Sequence, residues 1–122
     1  MFGIGTDIVD IKRIVKVFKD YPERFPEKVL STDELNIFLT HPRQKEYLAG
    51  RFAAKEAILK ALGTGLRNAS WTDISVLNDE IGKPLATLKG NLLLMANDKN
   101  IKEIHVSISH SDEYAVAFCI IE

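Results

Sequence analysis

Residues 51–65, RFAAKEAILKALGTG, read as a helix closed by a glycine turn, and they constrain the fold more than any other stretch. Around a helical wheel, Ala53, Ala54, Ala57, Ile58, Ala61 and Leu62 fill most of the circumference. Phe52, Leu59 and Gly63 share the remaining sector with Glu56. A helix that is apolar all round is usually buried on several sides. The rest of the chain must therefore supply layers around it, yet Arg51, Lys55, Glu56 and Lys60 all sit within it. Taking a carboxylate out of water costs several kcal/mol unless it is compensated. Lys60 could pair with Glu56 at i, i+4, but an exposed pair at that spacing returns only about 0.3–0.5 kcal/mol. Two readings follow. Either Glu56 and Lys60 form a surface pair at an exposed helix end, or Glu56 faces a polar cleft and a cation.

The flanking sequence supplies the layers. MFGIGTDIV alternates Phe2, Ile4, Thr6 and Ile8, which predicts a strand ending near Asp7. Ile11, Ile14, Val15 and Phe18 recur at helical spacing, and the two prolines of YPERFP stop that helix. Ser31 and Glu34 form a capping box ahead of Leu35, Phe38 and Leu39, a second helix that ends at His41-Pro42. The opening stretch lies in a third helix over 44–62, closed by Gly63 and Gly65. Then DISVL and PLATL predict a hairpin, GNLLLMANDKN a short helix, and IHVSIS and YAVAFCII two strands joined by HSDE. The expected order is strand, three helices, two strands, helix, two strands. This is an α+β fold, a largely antiparallel sheet packed by helices. At 122 residues with 27% charged and 46% hydrophobic, it suits a single domain, 1–122.

Composition excludes several function classes. A net charge of -1 argues against a general nucleic-acid binder. The apolar runs are too short to span a bilayer and the N-terminus has no signal-peptide pattern, so no membrane role is expected and the setting is cytoplasmic. Cys119, the one cysteine, lies in an apolar strand and reads as a small hydrophobe.

If Glu56 faces a cation, Asp7 is the natural second ligand, since it stands where an apolar strand ends; taken alone it reads as a helix cap. Two hard oxygen ligands without His or Cys suit Mg²⁺, which completes its shell with water and substrate phosphates. Lys60 precedes Gly63-Thr64-Gly65, whose small residues let backbone N–H groups approach an anion. Arg51 and Lys55 read as snorkelling surface residues, and His41 and His105 as structural. His110, in the turn beside Ser109 and Ser111, is open to either a structural or a site role. Between 11 and 28 the chain carries a net +3, with Lys12, Lys16 and Lys19 on one helical stripe. Such a stripe is a solvated face or a dock for an acidic protein.

Together these residues resemble the holo-acyl-carrier-protein synthase family, the small bacterial phosphopantetheinyl transferases. GIGTDIVDI is similar to its opening strand and RFAAKEAILKALGTG to its central signature. WTDISVLNDEIGKP and HVSISHS resemble its later blocks in the same order, so the likeness runs over essentially the whole chain. The resemblance implies Mg²⁺-dependent transfer of 4′-phosphopantetheine from coenzyme A to a serine of apo-acyl carrier protein, releasing adenosine 3′,5′-bisphosphate. It implies Asp7 and Glu56 as metal ligands and Lys60 beside the pyrophosphate. It places Gly63, Thr64 and Gly65 along the pantetheine and phosphates, Ser109 and His110 in the nucleotide site, and Arg51 on the nucleotide's phosphates. Arg13 and Arg24 match basic docking positions for the carrier protein, and Lys16 belongs to the same stripe. A homotrimer with sites between protomers is implied by the family alone. Chemically, the serine hydroxyl attacks the β-phosphorus, and its proton goes to Glu56 directly or through a water. Two rival readings differ at testable points. A metal-dependent nucleotide hydrolase has no need of the basic stripe, and a non-catalytic coenzyme A-binding module has no need of Asp7, Glu56 and Lys60 together.

Overall fold

The computed structural model describes residues 2–122. In chain order the elements are β1 (Gly3–Asp10), α1 (Ile11–Asp20), α2 (Arg24–Val29), α3 (Thr32–Leu39) and α4 (Gln44–Leu62). After a 3₁₀ turn (Trp71–Asp73) come β2 (Ile74–Asn78), β3 (Pro84–Leu88), α5 (Gly90–Asp98), β4 (Ile104–His110) and β5 (Tyr114–Ile121). The α+β class is as expected, and every strand pair is antiparallel. The strands divide into two sheets, β1–β5–β4 and the hairpin β2–β3.

Local chemistry accounts for the boundaries, and in three places it corrects the sequence reading. β1 runs on to Asp10, and it is Asp10, not Asp7, that caps the following helix, its side chain accepting from the Lys12 N–H at 2.9 Å. Asp7 is thereby free of capping duty. The prolines of YPERFP do end α1, but a further short helix, α2, starts among them. Pro26 falls in its first turn, where the missing N–H has no intrahelical partner to lose. His110 closes β4 rather than sitting in the turn, which is made by the three residues after it. The capping box forms as read: Glu34 N–H donates to Ser31 Oγ and Ser31 N–H to the Glu34 carboxylate. α4 ends at Gly63 with φ 77°, a left-handed turn that glycine adopts without strain.

Most of α4 is buried, including Leu48, Ala53, Ala54, Ala57 and Ile58 at 0% exposure, so the helix has no polar face and is the centre of the packing. Full burial of Leu48 or Ile58 is worth about 1.5–3 kcal/mol each. β1 lies directly on it. A Cβ at Gly3 would stand 2.0 Å from the carbonyl oxygen of Ala61, and one at Gly5 2.0 Å from that of Ala57. Two strand residues thus advance beside four helix residues, which matches their rises of about 6.7 and 6 Å. The next inward residue of β1 is Asp7, carried to the part of α4 that bears Glu56 and Lys60. The opposite face of this sheet is open. Ile4 (57%), Ile8 (66%) and Phe118 (41%) are exposed on it, with Ile8 paired to Val116 and Thr6 to Phe118.

Candidate active site

The glycine-mediated contact of β1 with α4 brings Asp7, Glu56 and Lys60 together. Lys60 Nζ lies 3.0 Å from Asp7 Oδ1 and donates to the Thr6 carbonyl at 3.0 Å. The Glu56–Lys60 pair of the surface reading is absent among the described residues, because Asp7 and the Thr6 carbonyl take the lysine across the element boundary. Glu56 instead accepts from the indole N–H of Trp71 at 3.3 Å. Asp7 and Glu56 line one cavity of about 380 Å³, together with Asp10, Arg13, Val17, Phe25 and Phe52. That lining holds three carboxylates and no His or Cys; Asp10 is engaged as the α1 cap, and Asp7 and Glu56 fit a hard divalent cation such as Mg²⁺.

Val17 and Phe25 also line a second cavity of about 400 Å³ with Tyr21, Arg24, Lys28 and Trp71. The two spaces share a wall and follow α1 and α2 from the carboxylates towards Trp71. Arg13 and Arg24 stand along this groove, and Lys12, Lys16 and Lys19 are exposed on α1.

Arg51 and Lys55 are not surface residues. Arg51 is 7% exposed; its Nε donates to the Val76 carbonyl at 3.1 Å, a terminal nitrogen donates to Asn78 Oδ1 at 3.1 Å, and the guanidinium lies over the Tyr47 ring. Lys55 is fully buried and donates to Glu34 Oε1 (2.5 Å), the Val29 carbonyl (2.6 Å) and the Trp71 carbonyl (3.1 Å). Glu34 completes the node by accepting from the Ser31 and Val76 N–H groups. Burial pushes the Lys55 pKa below the ordinary lysine value, and the Glu34 carboxylate opposes this without cancelling it.

The remaining predicted residues stand apart from the carboxylate cavity. Arg51 and His110 share a third cavity, about 170 Å³, with His41, Tyr47 and Asn78. The Tyr47 hydroxyl there is buried without a hydrogen-bond partner among the described residues. Ser109 is exposed on the open sheet face, opposite Val116 in register. Gly63, Thr64 and Gly65 form the loop beyond α4, outside the lining of the carboxylate cavity. Sequence reasoning missed Trp71 and the Glu34–Lys55 pair. The one available signal was that Glu34, a capping residue, sits beside an apolar segment, which places a carboxylate near the core.

Comparison with known proteins identifies the family of this α+β scaffold with its paired carboxylates, lysine and basic groove. The profile of the 4′-phosphopantetheinyl transferase superfamily (ACPS) matches residues 3–119, and the chain belongs to that family. A holo-[acyl-carrier-protein] synthase of Alkaliphilus metalliredigens is 48% identical over 118 residues, covering 97% of this chain and 96% of the relative. The crystal structure of the Neisseria meningitidis holo-[acyl-carrier-protein] synthase superposes with a TM-score of 0.95 at 36% identity, covering 100% of this chain and 98% of that one. The Helicobacter pylori synthase in complex with coenzyme A gives a TM-score of 0.85 at 34% identity, over 98% and 99% of the two chains.

Proposed function

We propose that this chain transfers 4′-phosphopantetheine from coenzyme A to a serine of apo-acyl carrier protein, with Mg²⁺ held by Asp7 and Glu56. The observation that carries this reading is the single cavity in which Asp7 and Glu56 meet, with Lys60 on Asp7 and Arg13 in the wall. The serine Oγ forms a bond to the β-phosphorus of coenzyme A. The bond from that phosphorus to the bridging oxygen breaks, and adenosine 3′,5′-bisphosphate leaves. When bound, Mg²⁺ neutralises charge on the pyrophosphate. Lys60 uses two of its three N–H donors on Thr6 and Asp7, which leaves the third for a phosphate oxygen. Glu56 accepts the serine proton, directly or through a water. Gly63, Thr64 and Gly65, beyond Lys60, run along the pantetheine and phosphates. Arg13, Lys16 and Arg24 supply positive charge for an acidic carrier protein.

The active assembly in this reading is a homotrimer with sites between protomers. Two observations support it. The open face of the three-stranded sheet carries Ile4, Ile8 and Phe118, an apolar surface of the kind that partners cover. Arg51, Ser109 and His110, read as nucleotide-binding, lie away from the carboxylates within one protomer, as a site completed by a neighbour requires. No helix among the described residues is long and apolar enough to cross a membrane, and a cytoplasmic setting agrees with that.

The test is incubation with coenzyme A, Mg²⁺ and an apo-carrier protein. A phosphopantetheine adduct on the carrier serine, detected by mass spectrometry, abolished by EDTA and restored by Mg²⁺, is the expected result. Hydrolysis of coenzyme A without an adduct would refute the transferase reading. Sedimentation of the active species as a monomer would refute the shared site.

A further inference from the structure

Trp71, the only tryptophan in the chain, is held at both ends. Its carbonyl accepts from the buried Lys55 ammonium at 3.1 Å, and its indole N–H donates to Glu56 Oε2 at 3.3 Å. The ring packs against Phe52 at 5.5 Å between centroids, and Phe52 in turn against Phe25, so the N–H has a fixed direction. Lys55 cannot drift, because its other two donors are spent on Val29 and Glu34, and Glu34 is itself tied to α3 and β2 by the Ser31 and Val76 N–H groups. Among the described residues no other group donates to Glu56, so its second oxygen, Oε1, has no protein partner.

We infer that Trp71 is a positioning residue for Glu56: its indole N–H fixes one carboxylate oxygen and presents the other to the cavity shared with Asp7, while the buried Lys55–Glu34 pair anchors the tryptophan. This rests on the reading of Glu56 as the metal-binding and proton-accepting carboxylate. A half-buried glutamate on a long side chain otherwise samples several rotamers. An indole is a donor only, so it orients the carboxylate without competing for the cation. Outer partners of metal-binding groups typically alter affinity or rate by about 10- to 100-fold, and the long 3.3 Å contact puts this one at the lower end.

The experiment has a spectroscopic arm and a kinetic arm. With one tryptophan, uniformly ¹⁵N-labelled protein gives one indole N–H cross-peak. In the metal-free protein, Glu56→Ala should move that resonance upfield and raise its exchange with water, which tests the contact without any assumption about metal. In turnover assays, Trp71→Phe keeps an aromatic ring and deletes the N–H. Its kcat should fall about tenfold and its half-activating Mg²⁺ concentration rise, with KM for coenzyme A unchanged. Lys55→Met should move kcat in the same direction, and the double variant should be no slower than the worse single, since both act through one path. An indole resonance indifferent to Glu56→Ala overturns the proposal. So does a Trp71→Phe protein with wild-type kcat and Mg²⁺ dependence, whatever becomes of the Lys55 variant. If Glu56→Ala abolishes turnover while Trp71→Phe keeps it, only the positioning role fails. If Glu56→Ala turns over normally, the reading of Glu56 fails and takes this proposal with it.

Discussion

Lys55→Met should destabilise this protein more than any change on its surface. Methionine keeps the length of the unbranched chain but removes the ammonium, whose three donors reach Glu34, Val29 and Trp71 within 3.1 Å. Both side chains of the pair are 0% exposed, so water cannot take the place of the lost partner. Glu34 would keep two backbone donors, from Ser31 and Val76, but no counter-charge. Breaking a buried pair by removing one member typically costs 3–5 kcal/mol, so about 4 kcal/mol is expected. Near 2.1 cal/mol/K per residue, a 122-residue chain has an unfolding entropy of about 0.26 kcal/mol/K, and the change should lower Tm by about 15 °C. Taking both charges out of water offsets most of their mutual attraction, so half of the pair is costly while the whole pair contributes little. Glu34→Gln/Lys55→Met should therefore recover about half of the loss. Urea unfolding followed by circular dichroism, at one fixed protomer concentration, measures all four corners of the cycle. A loss under about 1 kcal/mol for Lys55→Met, the value of an exposed pair, would refute the reasoning. So would strict additivity of the two single changes.

Gly5→Ala should cost about 3 kcal/mol or more and lower turnover, because its Cβ would meet the Ala57 carbonyl at 2.0 Å and lift Asp7 from α4; a thermal melt and the transfer assay check both. Burial pushes the Cys119 thiol from its usual 9.0 up to about 11, so the folded chain keeps this proton where the unfolded chain has lost it. Stability should then fall by about 2 kcal/mol between pH 9 and 11, and urea midpoints of Cys119→Ala should show that part of the fall removed. Lys16→Glu, outside the lining of the carboxylate cavity, should raise KM for the carrier protein with coenzyme A affinity unchanged. Its kcat/KM should also fall less steeply with salt than the wild type's, since exposed charges are screened beyond about 8 Å at physiological ionic strength.

Elements fixed by neighbours in sequence could be read before folding. The capping box over Ser31–Glu34, the helix over 44–62 and its glycine stop are local patterns, and the structure has all of them. The missed helix α2 shows the limit of a local rule: proline forbids a helix interior, but Pro26 lies in a first turn, and the rule does not distinguish the two until the start is known. Asp7 and Glu56 were legible as a pair because an apolar strand and an apolar helix each carried one unexplained carboxylate. Their surroundings were not. Glu34 is 21 residues from Lys55, Val76 is 25 from Arg51, and Trp71 is 15 from Glu56. No periodicity records such partners, because tertiary packing chooses them.

The four charges of α4 resolve into two kinds once those partners are known. Arg51 and Lys55, one turn apart, both make contacts within the fold: the first holds the β2 carbonyl of Val76 while lining the cavity it shares with His110, and the second joins α2, α3 and the 3₁₀ turn. Glu56 and Lys60, also one turn apart, face β1 and the groove, where one meets Trp71 and the other Asp7. The boundary between the two pairs falls between adjacent residues, Lys55 and Glu56, which a helix separates by about 100°. A helix wheel drawn from sequence sees only charges scattered through apolar residues. The structure gives each a partner of the right kind, and so an apolar helix can carry a cavity-lining carboxylate at its half-buried edge while a buried ion pair one residue away holds the wall behind it.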